Sequence, residues 1–140
     1  MSGSNEPASD FLGGLDPVDD YPLLEQPPGQ PTFGENHAFW IFDRDGRFHI
    51  HTHLNSFERY WPLRRERVHI CMPNGRALCS LEDGGLTTAE GPGGANLTMV
   101  CVEPFKHWRL TFHGTMFETT QPALAAGPVL DLRRVLVTPR

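Results

Sequence analysis

From His37 onward apolar and polar residues alternate in short runs broken by turn residues, the period-two pattern of half-buried β-strands rather than the wider spacing of helices. The run 37–44 meets Asp45-Gly46 and is followed by the run 47–55, and the run 67–72 passes through Pro73-Asn74-Gly75 into 76–82. Asp-Gly and Asn-Gly readily adopt the positive φ of tight hairpin turns, so each pair of runs predicts an antiparallel hairpin. The runs 97–103 and 107–113, flanking Pro104-Phe105-Lys106, predict a third, and further strands are expected at 115–119 and 129–137. Eight or so short antiparallel strands must close on themselves or cover their edges. The expectation is therefore an all-β fold, an antiparallel barrel or half-barrel built by residues 37–140.

Residues 1–36 read differently. They hold six of the thirteen prolines, and their apolar residues keep no sustained period, so they predict an acidic, Pro-rich tail and strap. Tyr21, Leu23 and Leu24 are the residues expected to anchor it, with 1–15 free to move. Glycine and proline make up about a fifth of the 140 residues against a usual ~12%, which excludes a helical bundle. The net charge of −5 is uneven: seven acidic residues and no Lys or Arg lie in 1–36, whereas 37–140 carry ten acidic and twelve basic residues. A nearly neutral body has no electrostatic reason to gather on phosphate backbones, so nucleic acid is not an expected partner. The sequence has neither a long apolar run nor a basic, apolar start, so no membrane span and no secretory signal are expected, and the default compartment is the cytoplasm. Cys71, Cys79 and Cys101 sit singly in apolar runs and read as small buried hydrophobes.

The strand faces carry the chemistry. Period two puts Phe48, Ile50, Thr52 and Leu54 on one side of the second strand and His49, His51 and His53 on the other. The same split sets Val68, Ile70 and Met72 against Arg67, His69 and Cys71, and Trp108, Leu110 and Phe112 against His107, Arg109 and His113. Two readings stay open. Either the histidine faces point to solvent around an ordinary apolar core, or they line a cavity in which imidazole moves protons near neutral pH. As a metal site, His49-x-His51-x-His53 would need a third ligand such as His69, and no carboxylate on that face would orient the rings, so no metal or other cofactor is assigned.

Other signatures fail on inspection. Asp43-Arg44-Asp45-Gly46 resembles the start of a calcium loop, but Phe48 and Ile50 stand where oxygen ligands are needed, so it is a turn. Gly91-Pro92-Gly93-Gly94 lacks the following Gly-Lys-Ser/Thr of a phosphate loop and is expected to be a flexible loop at the barrel mouth. No G-x-S-x-G elbow is present.

One stretch resembles a known family. Residues 91–114 combine a Gly-rich loop, a strand, and Glu103-Pro104-Phe105-Lys106-His107-Trp108-Arg109-Leu110, a pattern similar to bacterial lipocalin-related proteins of the AttH and carotenoid-hydratase type. Asp19-Asp20-Tyr21-Pro22 resembles that family's N-terminal strap, and Pro73-Asn74-Gly75-Arg76 its central hairpin. The resemblance implies a lipocalin-like lobe, an N-terminal half whose second lobe comes from another chain or from self-association. It also implies a cavity for an isoprenoid, steroid or polyketide, and chemistry without a redox cofactor: hydration or dehydration, isomerisation or cyclisation. Such chemistry needs an acid, a base or water, and aromatic walls. The acid and base candidates are His49, His51, His69 and Asp43, and the candidate walls are Trp40, Tyr60, Trp61 and Trp108. The alternative is a non-catalytic carrier of a lipid or terpenoid.

Overall fold

The computed structural model describes residues 13–57, 60–126 and 133–137. The strands are β1 (Asn36–Phe42), β2 (His49–Phe57), β3 (Tyr60–Cys71), β4 (Arg76–Leu86), β5 (Leu97–Glu103), β6 (His107–Phe112), β7 (Gly114–Thr120) and β8 (Arg133–Val137), with a short helix α1 (Gln121–Ala126) after β7. Six strands form one antiparallel sheet in the order β1-β2-β3-β4-β7-β8, and β5 and β6 form a separate ribbon. The fold is all-β and half-barrel-like: β1 and β8 stay at opposite edges, so the sheet is open rather than closed. No helix among the described residues is long and apolar enough to cross a membrane.

The three expected hairpins form, with shifted ends. β2 starts at His49 because Arg47 belongs to the turn, where its guanidinium lies 2.6 Å from the Asp43 carboxylate. β3 starts at Tyr60, well before the expected 67, because Arg64 and Glu66 point inward and break the apolar alternation. β4 likewise runs on to Leu86. Of the last expected strand, 129–132 fall outside the described residues, as do residues 1–12 of the tail expected to move freely.

One face of the large sheet carries the core. Leu54, Val68 and Met116 pack there against Leu97 and Met99 of the β5–β6 ribbon, with Phe39, Ile70, Leu78, Trp108, Leu110 and Phe112 around them. Each such burial contributes about 1.5–3 kcal/mol relative to exposure. The ribbon is also tied down by polar contacts. The Glu66 carboxylate, fully buried, accepts from the backbone N–H of Asn96 and Leu97 at 2.7 Å each and from the Ser80 hydroxyl at 3.3 Å.

The Gly-rich segment is not a flexible mouth loop. Gly91 and Pro92 are buried, and the backbone of 90–94 pairs with β5 through Cys101 N–H to Glu90 O (2.8 Å), Met99 N–H to Pro92 O (3.0 Å) and Gly94 N–H to Leu97 O (2.7 Å). Glycine is required by close approach: a Cβ on Gly91 would run into the Met99 carbonyl, and one on Gly94 into the Glu66 carboxylate and Leu54.

Of the expected anchors of the strap, Tyr21 is half-buried beside Cys101, whereas Leu23 and Leu24 are exposed and polar contacts take their place. After a 3-10 turn at Pro17–Asp20, the Asp20 carboxylate accepts from Phe105 N–H (2.7 Å) and Trp108 Nε1 (2.9 Å). That contact holds Phe105 at φ 59, a left-handed conformation uncommon outside glycine. Further along, Trp61 Nε1 donates to Leu23 O (3.1 Å), while Glu35 takes the Leu23 N–H (2.8 Å) and pairs with the buried Arg64 (2.9 Å).

Candidate functional site

The second face of the six-stranded sheet gathers the histidines. Cross-strand register places Trp40, His51, His69, Cys79 and Phe117 in one row over β1, β2, β3, β4 and β7. The next row runs Phe42, His49, Cys71, Ala77 and Thr119. On the other side lie Ala38, His53, Arg67 and Leu81. The arrangement follows from hairpin arithmetic: once a turn fixes which residues face each other, every second position joins the same surface.

Within these rows the rings touch. The Trp40 indole stacks on His51 with centroids 4.0 Å apart and planes 20° apart. His51 lies 5.8 Å from His69 and 6.0 Å from His53, and Phe42 lies 5.9 Å from His49. All four imidazoles are half-buried. His53 Nε2 is hydrogen-bonded to the Asn36 amide oxygen at 3.0 Å, whereas the rings of His49, His51 and His69 make no hydrogen bond among the described residues, which leaves their nitrogens for a ligand.

Burial is the main reason that His51, His53 and His69 titrate below the ordinary histidine value, with the mutual influence of the imidazoles and the charge of Arg67 acting in the same direction. Neutral imidazole can both donate and accept a hydrogen bond, which suits proton relay at neutral pH. The cysteines are the reverse case: burial pushes the Cys71 and Cys79 thiols up, which keeps them protonated and weakly nucleophilic. Among the described residues no three His, Cys, Asp or Glu groups converge to hold a metal ion.

A cleft of about 310 Å³ opens beside this face, between the β1–β2 and β3–β4 turns. Phe42, Asp43, His49 and Cys71 line it, and α1 closes one end through Gln121, whose amide donates to Met72 O at 2.7 Å. Its volume is at the small end for a ligand pocket.

The expected site residues thus separate into groups. His49, His51, His69 and Trp40 share the imidazole face. Asp43 borders it, but the Arg47 hydrogen bond holds its carboxyl below the usual carboxylate range, so it stays ionised and is a poor proton donor. Trp61 and Trp108 do not join the imidazoles. Their indole N–H groups clamp the strap, and Trp108 lines a separate apolar groove of about 440 Å³ with Phe39, Ile41, Phe105 and Leu110. Tyr60 is exposed at the start of β3. The sequence reading did not single out Phe42, Arg67 and Cys79 as site residues. The Asn74-Gly75 turn would have pointed to Cys79, because it sets His69 opposite it.

Comparison of the chain with protein-family models, with curated proteins and with solved structures finds no match.

Proposed function

We propose that this protein is a small-molecule-binding β lobe whose site is the imidazole face of the six-stranded sheet, and that the only chemistry its side chains offer there is proton transfer. The observation that carries the reading is the Trp40–His51–His69 row, with an indole stacked at 4.0 Å on one imidazole and a second imidazole 5.8 Å away. An apolar body lies against Trp40 and Phe42, and uncharged His51 and His69 give and take a proton at its polar end. The resemblance to the AttH and carotenoid-hydratase type supplies the substrate class, an isoprenoid, steroid or polyketide, and the reaction class: hydration or dehydration, isomerisation or cyclisation. No cofactor and no nucleic acid enter this reading, and three unpaired cysteines support a reducing, cytoplasmic setting.

A second reading is favoured by exposed apolar surface on the same face, where Trp40 is 63%, Phe42 68% and Leu81 62% exposed. In that reading the chain is one lobe, and a second copy or a lobe on another chain covers the face and completes the chamber.

Native mass spectrometry of the intact protein, alone and after incubation with isoprenoids, steroids and polyketides, tests the proposal. The expected result is a retained apolar molecule that is lost in Trp40→Ala, with a product differing by one water or rearranged at constant mass. Conversion abolished by His51→Ala and His69→Ala supports catalysis, and a molecule returned unaltered supports carriage. Retention that survives both Trp40→Ala and the histidine substitutions removes this face as the site.

A further inference from the structure

Among the described residues the imidazole face carries a positive charge, Arg67, that no carboxylate pairs with. Arg67 lies on it, opposite His53 on β2 and Leu81 on β4, and its charge acts on His51, His53 and His69 together. Among the described residues no carboxylate comes within 4.0 Å of Arg67. The acidic group that shares this face on β4, Asp83, is engaged by Arg65 at 2.9 and 3.3 Å, and Glu82 stands at the rim of the shallow depression beside Arg67 and Leu81 without pairing with it. The chain has 17 acidic and 12 basic residues, so a face with an unanswered guanidinium runs against the composition as a whole.

A guanidinium presents a planar fork of donors that fits a carboxylate through two parallel hydrogen bonds. Neighbouring imidazoles add neutral donors without adding charge, which suits a single negative charge better than a dianion. Arg67 and Trp40 are two strands and one side-chain repeat apart, which strand spacing converts to roughly 12 Å between their backbones. Deepening the reading above, and resting on it, we infer that the ligand of this face is an apolar carboxylate, its acid group on Arg67 beside His53 and His69 and its hydrocarbon body running to Trp40.

Titration of the intact protein with dodecanoate and with dodecanol, followed by isothermal titration calorimetry, separates the two claims. Dodecanoate is expected to bind at least about tenfold tighter than dodecanol, the scale of a charge-assisted pair. Arg67→Gln should erase that difference while leaving dodecanol binding unchanged, Arg67→Lys should retain part of it, and Trp40→Ala should weaken both probes. Circular dichroism matching the native protein confirms that the variants fold. Equal binding of acid and alcohol, or dodecanoate affinity unchanged in Arg67→Gln, overturns the carboxylate inference and leaves the binding face standing. Failure of both probes to bind overturns both.

Discussion

Replacing Glu66 by glutamine keeps the side-chain shape but removes a buried negative charge that holds the β5–β6 ribbon to β3. One carboxylate oxygen accepts two rigid backbone N–H groups at 2.7 Å, and the other accepts the Ser80 hydroxyl and the Asn96 amide at 3.3 Å each. Hydrogen bonds to a charged acceptor are worth about 1.5–3 kcal/mol and neutral ones about 0.5–1.5, so the two short bonds together lose about 2–3 kcal/mol. The glutamine NH₂ then faces the Asn96 NH₂, donor against donor, at a further cost of about 1 kcal/mol. Against this stands the relief of no longer burying a carboxylate that has no cation in contact among the described residues, which returns part of the sum. The fixed N–H groups win because they gain no other partner when the charge goes. The net destabilisation is about 2 kcal/mol, which at a urea m-value of about 2 kcal/mol/M lowers the unfolding midpoint by about 1 M. Ser80→Ala, which removes one 3.3 Å bond, should cost only about 1 kcal/mol. A Glu66→Gln midpoint equal to or above the native one, or a Ser80→Ala loss as large as that of Glu66→Gln, would refute the ranking.

Asp20→Asn should loosen the strap, since the Phe105 N–H and Trp108 Nε1 both lose a charged acceptor; a loss of about 2 kcal/mol in urea unfolding, with faster proteolysis before residue 36, is the expected outcome. Gly94→Ala should destabilise by more than about 2 kcal/mol, because the new Cβ meets the Glu66 carboxylate and Leu54, and a midpoint within error of native would contradict the packing described for 90–94. Stability should also depend on pH through the imidazole face. His51, His53 and His69, which face one another and Arg67 across β2 and β3, titrate below 6.5 when folded. The unfolded chain therefore binds more protons as pH falls from about 6.5, so their contribution is fully present above that value and is lost as pH drops through the depressed pKa values. The half-buried His37 acts in the same direction. The urea midpoint should fall between pH 7.5 and 5.5, and less so when His51 and His69 are both asparagine; a midpoint that rises on acidification contradicts the burial assigned to these rings.

Much of the fold was legible because hairpin turns and period two are local. Gly46 and Gly75 sit at positive φ in the turns that Asp45-Gly46 and Asn74-Gly75 mark, and the polar and apolar faces of β2 separate as the alternation predicts. Inward charges break the pattern at β3: Arg64 and Glu66 look like surface residues, yet Glu35 and Thr87 hold the Arg64 guanidinium through Nη2 and Nε, and the backbone N–H groups of Asn96 and Leu97 hold Glu66, in the interior. The Gly-rich segment was misread because close approach and flexibility call for the same residue. Which tryptophans join the imidazoles depends on register across three strands and on where the strap lands, neither of which is local.

The most direct test of the imidazole face is a nitrogen-15 NMR titration of the seven histidine rings with an apolar ligand. The account predicts that His51 and His69 shift strongly, His49 and His53 shift to a lesser degree, and the exposed His107 and His113 do not move. Shifts confined to His37, whose ring lies 5.6 Å from Trp108 of the groove on the opposite side of the sheet, would contradict it.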